Sequence, residues 1–231
     1  MFIAGVDGCK AGWIVARREI ATGTTTIAVV TTFADVLALP DTHVIAVDIP
    51  IGLLDAAASG GRACERLARP LLGHPRRSSV FSAPVRSALG ASAFAHACDL
   101  NRASSAIALG ISQQCFALFS KLREVDAAMS SAHQARVFEV HPELCFYEMA
   151  GGAPAKHKKK STAGRSERIK LLAAAGFIAP SKAPSGAATD DVLDALAACW
   201  TAHRIRAQSA IQLPATAVPV DSRGLRMELW R

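Results

Sequence analysis

The chain has 231 residues, 51% of them hydrophobic and 19% charged, a balance that excludes intrinsic disorder and is long enough for one sizeable core. Its formal net charge is +7, but between Lys156 and Lys170 seven bases stand against one acid, so the excess is a single basic segment and not a cationic surface. No apolar run reaches the roughly 18 residues needed to span a bilayer, and the N-terminus meets Asp7 with no basic stretch before it, which predicts a cytoplasmic protein without a signal peptide.

Residues 2–7 and 12–18 read as a β-hairpin, two apolar runs joined by a glycine-containing turn. The β-branched run 24–30 predicts a third antiparallel strand. Thr32 is placed to cap a short helix through Leu39, which Pro40 stops. Residues 44–49 are apolar on both faces, as a central buried strand requires, and end beside the acid Asp48. Residues 50–135 form a mostly helical or irregular insertion, in which Ile111 through Met129 predicts one long helix from its apolar spacing and lack of Gly or Pro.

A strand follows at 136–140, with further pairing prevented by Pro142. Gly151 to Gly164 is a polar, basic loop, and Arg165 through Ala175 a helix closed by Gly176. After a small-residue linker from Pro180 to Ala188, Thr189 is placed to cap a helix from Asp190 to about Ala207. The tail predicts a last hairpin across Asp221-Ser222-Arg223-Gly224. These elements give an α/β fold of one domain over residues 1–231, with a mixed five-stranded sheet flanked by helices.

The six cysteines, at 9, 64, 98, 115, 145 and 199, are scattered with no C-x-x-C pair, which argues against zinc and for buried, reduced thiols. The acids are more informative. Asp7, Asp48, Glu139 and the pair Asp191 and Asp194 each stand where a buried element begins or ends. An ionised carboxylate there needs a partner: a metal ion, a phosphate-bearing ligand with its metal, or a basic side chain. Asp191 and Asp194 share a helix face, although acids at a helix N-terminus also suit its dipole. Carboxylates gathered at one point repel unless hard cations neutralise them, and Mg²⁺ or Mn²⁺ suits all-oxygen ligands. Two such ions about 3.5–4 Å apart hydrolyse phosphodiesters without a serine or histidine nucleophile.

The strand-end Asp7, the strand acid Asp48 and the string Asp191-Val192-Leu193-Asp194-Ala195-Leu196-Ala197 resemble the ribonuclease H-like superfamily, and the last helix is similar to that of Holliday-junction resolvases. More closely, Gly5 to Trp13, Asp48 to Leu53, Arg76 to Phe81, Glu139 to Glu143 and Asp190 to Ala195 resemble, in order, the family catalogued as domain of unknown function 429, described as RNase H-like nucleases. The resemblance implies a ribonuclease H-like sheet and a metal-dependent nuclease. Asp7 would be the bridging ligand, Asp48 the second, and Asp191 or Asp194 would complete the site, with Glu139 in support.

His141 is either a group that positions water or moves a proton, or a structural histidine at a strand end. Lys10, Arg76, Arg77, Lys158, Lys159 and Lys160 are the candidates for contact with a nucleic-acid backbone. Aromatics are scarce, so no stacking platform is expected and sequence specificity should be low. Two rival readings stand: a non-catalytic nucleic-acid-binding module, and an ATP-dependent phosphotransferase, since Asp7 to Gly12 is also similar to the first phosphate loop of actin-like sugar kinases. Against the latter, no G-x-x-x-x-G-K-[ST] is present.

Overall fold

The computed structural model describes all 231 residues. In chain order they form β1 (Phe2–Cys9), β2 (Gly12–Glu19), β3 (Thr25–Val30), α1 (Phe33–Leu37), β4 (Thr42–Val47), α2 (Ala63–Arg76), α3 (Phe94–Ala103), α4 (Gln113–Ala117), α5 (Phe119–Ala128), β5 (Val137–Glu139), α6 (Pro142–Met149), α7 (Thr162–Ala174), α8 (Thr189–Arg206), β6 (Gln212–Leu213) and β7 (Leu229–Trp230). The main sheet has the order β3-β2-β1-β4-β5. β1 and β3 run antiparallel to β2, whereas β4 runs parallel to both β1 and β5. This mixed five-stranded sheet flanked by helices is consistent with the ribonuclease H-like arrangement.

Strand periodicity divides the molecule. Ala4, Val6, Trp13, Val15, Ile45 and Val47 face one core, closed by α1, α3, α4 and α5. The alternate residues Ile3, Ile14, Ala16, Val44 and Ala46 face a second core, closed by α6, α7 and α8. Helix α8 lies directly on β1, which only Gly5 permits: a Cβ there would sit 2.0 Å from the Cys199 amide nitrogen and 2.1 Å from the Ala195 carbonyl oxygen. Because Gly5 and Ala46 face α8, so do Asp7 and Asp48, two residues further along their strands.

Three expectations need correction. The helix over 111–129 is two helices, α4 and α5, separated at Leu118 (φ −94°, ψ 1°). Cys115, Phe119, Leu122 and Val125 keep the helical spacing across the break, so the sequence pattern conceals it. Thr189 is not the cap of α8 but its first residue; Ala188 holds the cap position, and the Asp191 carboxylate accepts from its amide at 2.8 Å. His141, expected to face the same way as Glu139 along one strand, is not on that strand. It caps α6, its Nδ1 accepting from the Glu143 amide at 3.2 Å, and Pro142 opens that helix, where a missing N–H costs nothing. The Thr32 cap, with its reciprocal Asp35 bond, and the turn at Asp221 are found as expected, the latter closing on the Val220–Arg226 bridge.

Candidate metal centre

Asp7 and Asp48 meet because their strands are adjacent and parallel. Val6 pairs in register with Val47, and the Asp48 amide donates to the Val6 carbonyl at 2.9 Å. Helix α8 brings a third acid from above: pressed onto Gly5 at Ala195 and Cys199, it sets Asp194, next to the first of these contacts, over the ends of both strands. Asp7, Asp48 and Asp194 each offer a carboxylate oxygen within 4.8 Å of the others.

The surroundings neutralise this trio poorly. Asp7 accepts from the Gly8 amide at 2.7 Å, and Lys159 donates to Asp194 Oδ2 at 2.9 Å. Three formal negative charges thus face one positive charge. Burial, then Asp48 and Asp194, raises the Asp7 carboxyl well above the usual carboxylate range. Burial raises Asp48 to about 7 and Asp194 to about 6, in both cases against the pull of Lys159. Lys159 itself stays charged beside the aspartates. It is placed by the start of α7, where the Ser161 hydroxyl donates to the Lys158 carbonyl at 2.7 Å and accepts from the Gly164 amide at 3.0 Å. Gly164 is needed there, because its Cβ would meet the Lys158 carbonyl oxygen at 2.0 Å.

The other acids are placed differently. Asp191 lines the same cavity but stands outside the trio, one of its oxygens capping α8. Asp190 is paired with Arg165 at 3.0 Å. Glu139 also stands outside the trio. Its oxygens accept from Arg62 at 2.6 and 2.8 Å and from the Ile51 amide at 2.7 Å, so of the partners open to such an acid it has a basic side chain. His141 is fully engaged, with Nδ1 on Glu143 and Nε2 facing the Ser79 carbonyl at 3.2 Å, and burial lowers its pKa, favouring the neutral ring.

A cavity of about 1010 Å³ opens over the trio. Lys10, Arg76, Lys158 and Lys159 reach its lining; Arg77 and Lys160 do not. The Arg76 Nε donates to the Ala155 carbonyl at 3.0 Å, tying the insertion to the basic loop. Cys9 lines the cavity too, but all six cysteines are free and buried. Four charged residues on the lining were not singled out from the sequence: Arg62, the partner of Glu139, Glu65 beside it, Lys121, and Glu143, whose one signal is an acid in the first turn of a helix that leaves a buried strand.

The sequence matches the model of the family described as protein of unknown function DUF429 over residues 5–218. The chain belongs to this family. Neither a curated protein nor a solved structure matches the sequence significantly. The family match starts within β1, takes in the other four strands of the main sheet and includes all three aspartates of the trio. No helix is long and apolar enough to cross a membrane.

Proposed function

We propose that this DUF429 chain is a Mg²⁺- or Mn²⁺-dependent nuclease that hydrolyses phosphodiester bonds in nucleic acid. The observation that carries the reading is the trio Asp7, Asp48 and Asp194, three oxygen donors within 4.8 Å on the floor of an open cavity, with only Lys159 against them. The donor set fits a hard divalent cation: the ligands are all carboxylates, and a charge of two matches the excess. When bound, such a cation supplies Lewis-acid activation of water and neutralises charge growing on the phosphoryl oxygens.

The protein's own groups do the rest. Asp7, Asp48 and Asp194 hold the cation, Asp7 from the middle strand of the sheet. Lys10, Arg76 and Lys158 stand on the lining where the phosphates of a backbone would pass, and contacts of that kind orient a chain without reading its bases. Glu139 acts at one remove. Through Arg62, which also donates to the Ile51 and Gly52 carbonyls at 3.0 and 3.2 Å, it pins the segment that follows Asp48. With both ring nitrogens occupied, His141 fixes the start of α6 and does not transfer a proton.

The test is Asp7→Asn, which keeps the side chain's shape. Cation-dependent cleavage of a labelled oligonucleotide should fall to background while the far-ultraviolet circular dichroism spectrum stays that of the wild type. Undiminished cleavage would exclude the mechanism. So would nucleic-acid binding that persists without cation and yields no product.

A further inference from the structure

The cavity over the trio has two kinds of wall. On the side of α8 stand the aspartates and the lysines of the basic loop, Lys158 and Lys159. The insertion supplies the other wall. There Phe81 and Leu118 line the cavity while packing against the core closed by α1, α3, α4 and α5, on the opposite face of the sheet from α8. Both are half-buried. The segment that carries Phe81 is held firmly. Arg69 Nε donates to the Val80 carbonyl at 2.7 Å and its Nη2 to the Ser82 hydroxyl at 2.9 Å, and the Ala83 amide donates to Glu65 at 3.0 Å. Residues on both sides of Phe81 are thus tied to α2, and the ring is fixed on the wall. Neither an aromatic ring nor a cationic side chain of the protein stacks on it.

We propose that Phe81 stacks on one unpaired base of the substrate, which makes that substrate a single-stranded nucleic acid. This rests on the nuclease reading above and narrows it. A nucleotide has the same two-part character as the cavity, a flat apolar base joined to an anionic phosphate. With the phosphate at the trio and the lysines, the base has the insertion wall to meet. A base inside a duplex is covered on both faces by its neighbours and offers none to a ring, so the contact selects an unpaired strand. The size of the cavity agrees. At about 1010 Å³ it stands at the upper end of pockets that enclose small molecules, about 300–1,000 Å³, which suits a strand and not a double helix. Scarce aromatics exclude a platform for several bases but leave room for one stack. Such a stack tolerates any base, because each has a π-face. Gln114, exposed on the same lining, adds an amide that can meet the edge of a base.

The experiment is fluorescence anisotropy of the full-length protein in Mn²⁺ with three labelled probes. They are a short oligothymidylate, a strand of equal length with abasic sites, and a blunt hairpin duplex, all with phosphorothioate linkages that keep the charge and resist hydrolysis. The wild type should bind the oligothymidylate about tenfold or more tighter than either of the others. Phe81→Leu, which keeps the apolar packing and loses the π-face, should bind the oligothymidylate no better than the abasic strand, with its affinity for the abasic strand unchanged. Equal wild-type affinity for all three probes, or binding to none, overturns the proposal, as does a Phe81→Leu chain that keeps the preference. Should Phe81→Leu fail to fold, ultraviolet crosslinking of a 5-iodouracil strand to the wild type decides the matter: attachment at Phe81 supports the stack, and attachment elsewhere alone overturns it. Cleavage is read separately, on unmodified strands. Base-dependent binding without hydrolysis ends the nuclease reading and leaves Phe81 in its role, whereas hydrolysis with base-independent binding does the reverse.

Discussion

Two acidic clusters lie side by side at the ends of the parallel strands, and they are built on opposite principles. In one, Arg62 sits between Glu65 and Glu139 at 2.7 and 2.6 Å, 2% exposed, with backbone carbonyls filling its remaining donors. In the other, Asp7, Asp48 and Asp194 share only Lys159, whose side chain is 46% exposed and comes from a loop. With Arg69 3.9 Å from Glu65 as a second positive charge, the first cluster is closed in charge, and its carboxylates are occupied by arginines and backbone amides. The second is short of positive charge and open to a cavity. A guanidinium offers a rigid fork that saturates carboxylates, whereas an ammonium is a single mobile charge that leaves oxygens free. The carboxylate alone does not make a site; what stands opposite it does.

The largest effect should come from breaking the closed cluster. Arg62→Ala leaves Glu65 and Glu139 buried without their counter-charge, and the expected cost is about 3–5 kcal/mol, read from the urea unfolding midpoint. Wild-type stability in that variant would remove the contrast between the two clusters.

A smaller effect distinguishes them by pH. In the cation-free protein, Asp48 is raised to about 7 and Asp194 to about 6, and Asp7 is raised as well. The folded state therefore keeps protons that the unfolded chain releases near pH 4, and stability falls as pH rises from about 4 towards 7. His141, lowered in the folded state, works in the opposite direction over the upper part of that window, but it is one group against four, since burial raises Glu139 as well. Thermal melts of the cation-free protein should therefore lose a few degrees between pH 5 and 7. Saturating Mn²⁺ should flatten that slope, because the cation takes the place of the protons. A cation-free melting temperature that climbs over this range would refute the poor neutralisation of the trio.

The smallest effect is expected at Lys159→Ala. Lys159 is half-exposed although Asp194 is buried, and the aspartates can take up protons when the positive charge is lost, so folding stability should fall by about 1 kcal/mol, less than for Arg62→Ala. Removing the resident positive charge should tighten Mn²⁺ binding a few-fold, measured by titrating the protein with Mn²⁺ and following the electron paramagnetic resonance of the free ion. Weaker Mn²⁺ binding would mean that Lys159 organises the trio instead of competing for it.

Much of this was written in the sequence. Strand and helix periodicity marked out the five strands, the last two helices and the basic loop, because burial on one or both faces imposes a repeat that a single chain displays. The acids at strand ends and in α8 were visible for the same reason: a charge that interrupts an apolar run must be answered. The break at Leu118 was not visible, since the apolar spacing runs on through it.

The sequence by itself thus determined which elements form, which faces they bury and which carboxylates need partners. Tertiary structure alone decided the partners. The register of β1 and β4 set Asp7 beside Asp48, and the missing Cβ of Gly5 lowered Asp194 onto them. Arg62, 77 residues away along the chain, took Glu139 out of the trio, and Arg168 paired with Glu143. Local sequence governs conformation through short-range sterics and burial, whereas the pairing of charges depends on distances that exist only once the chain has folded.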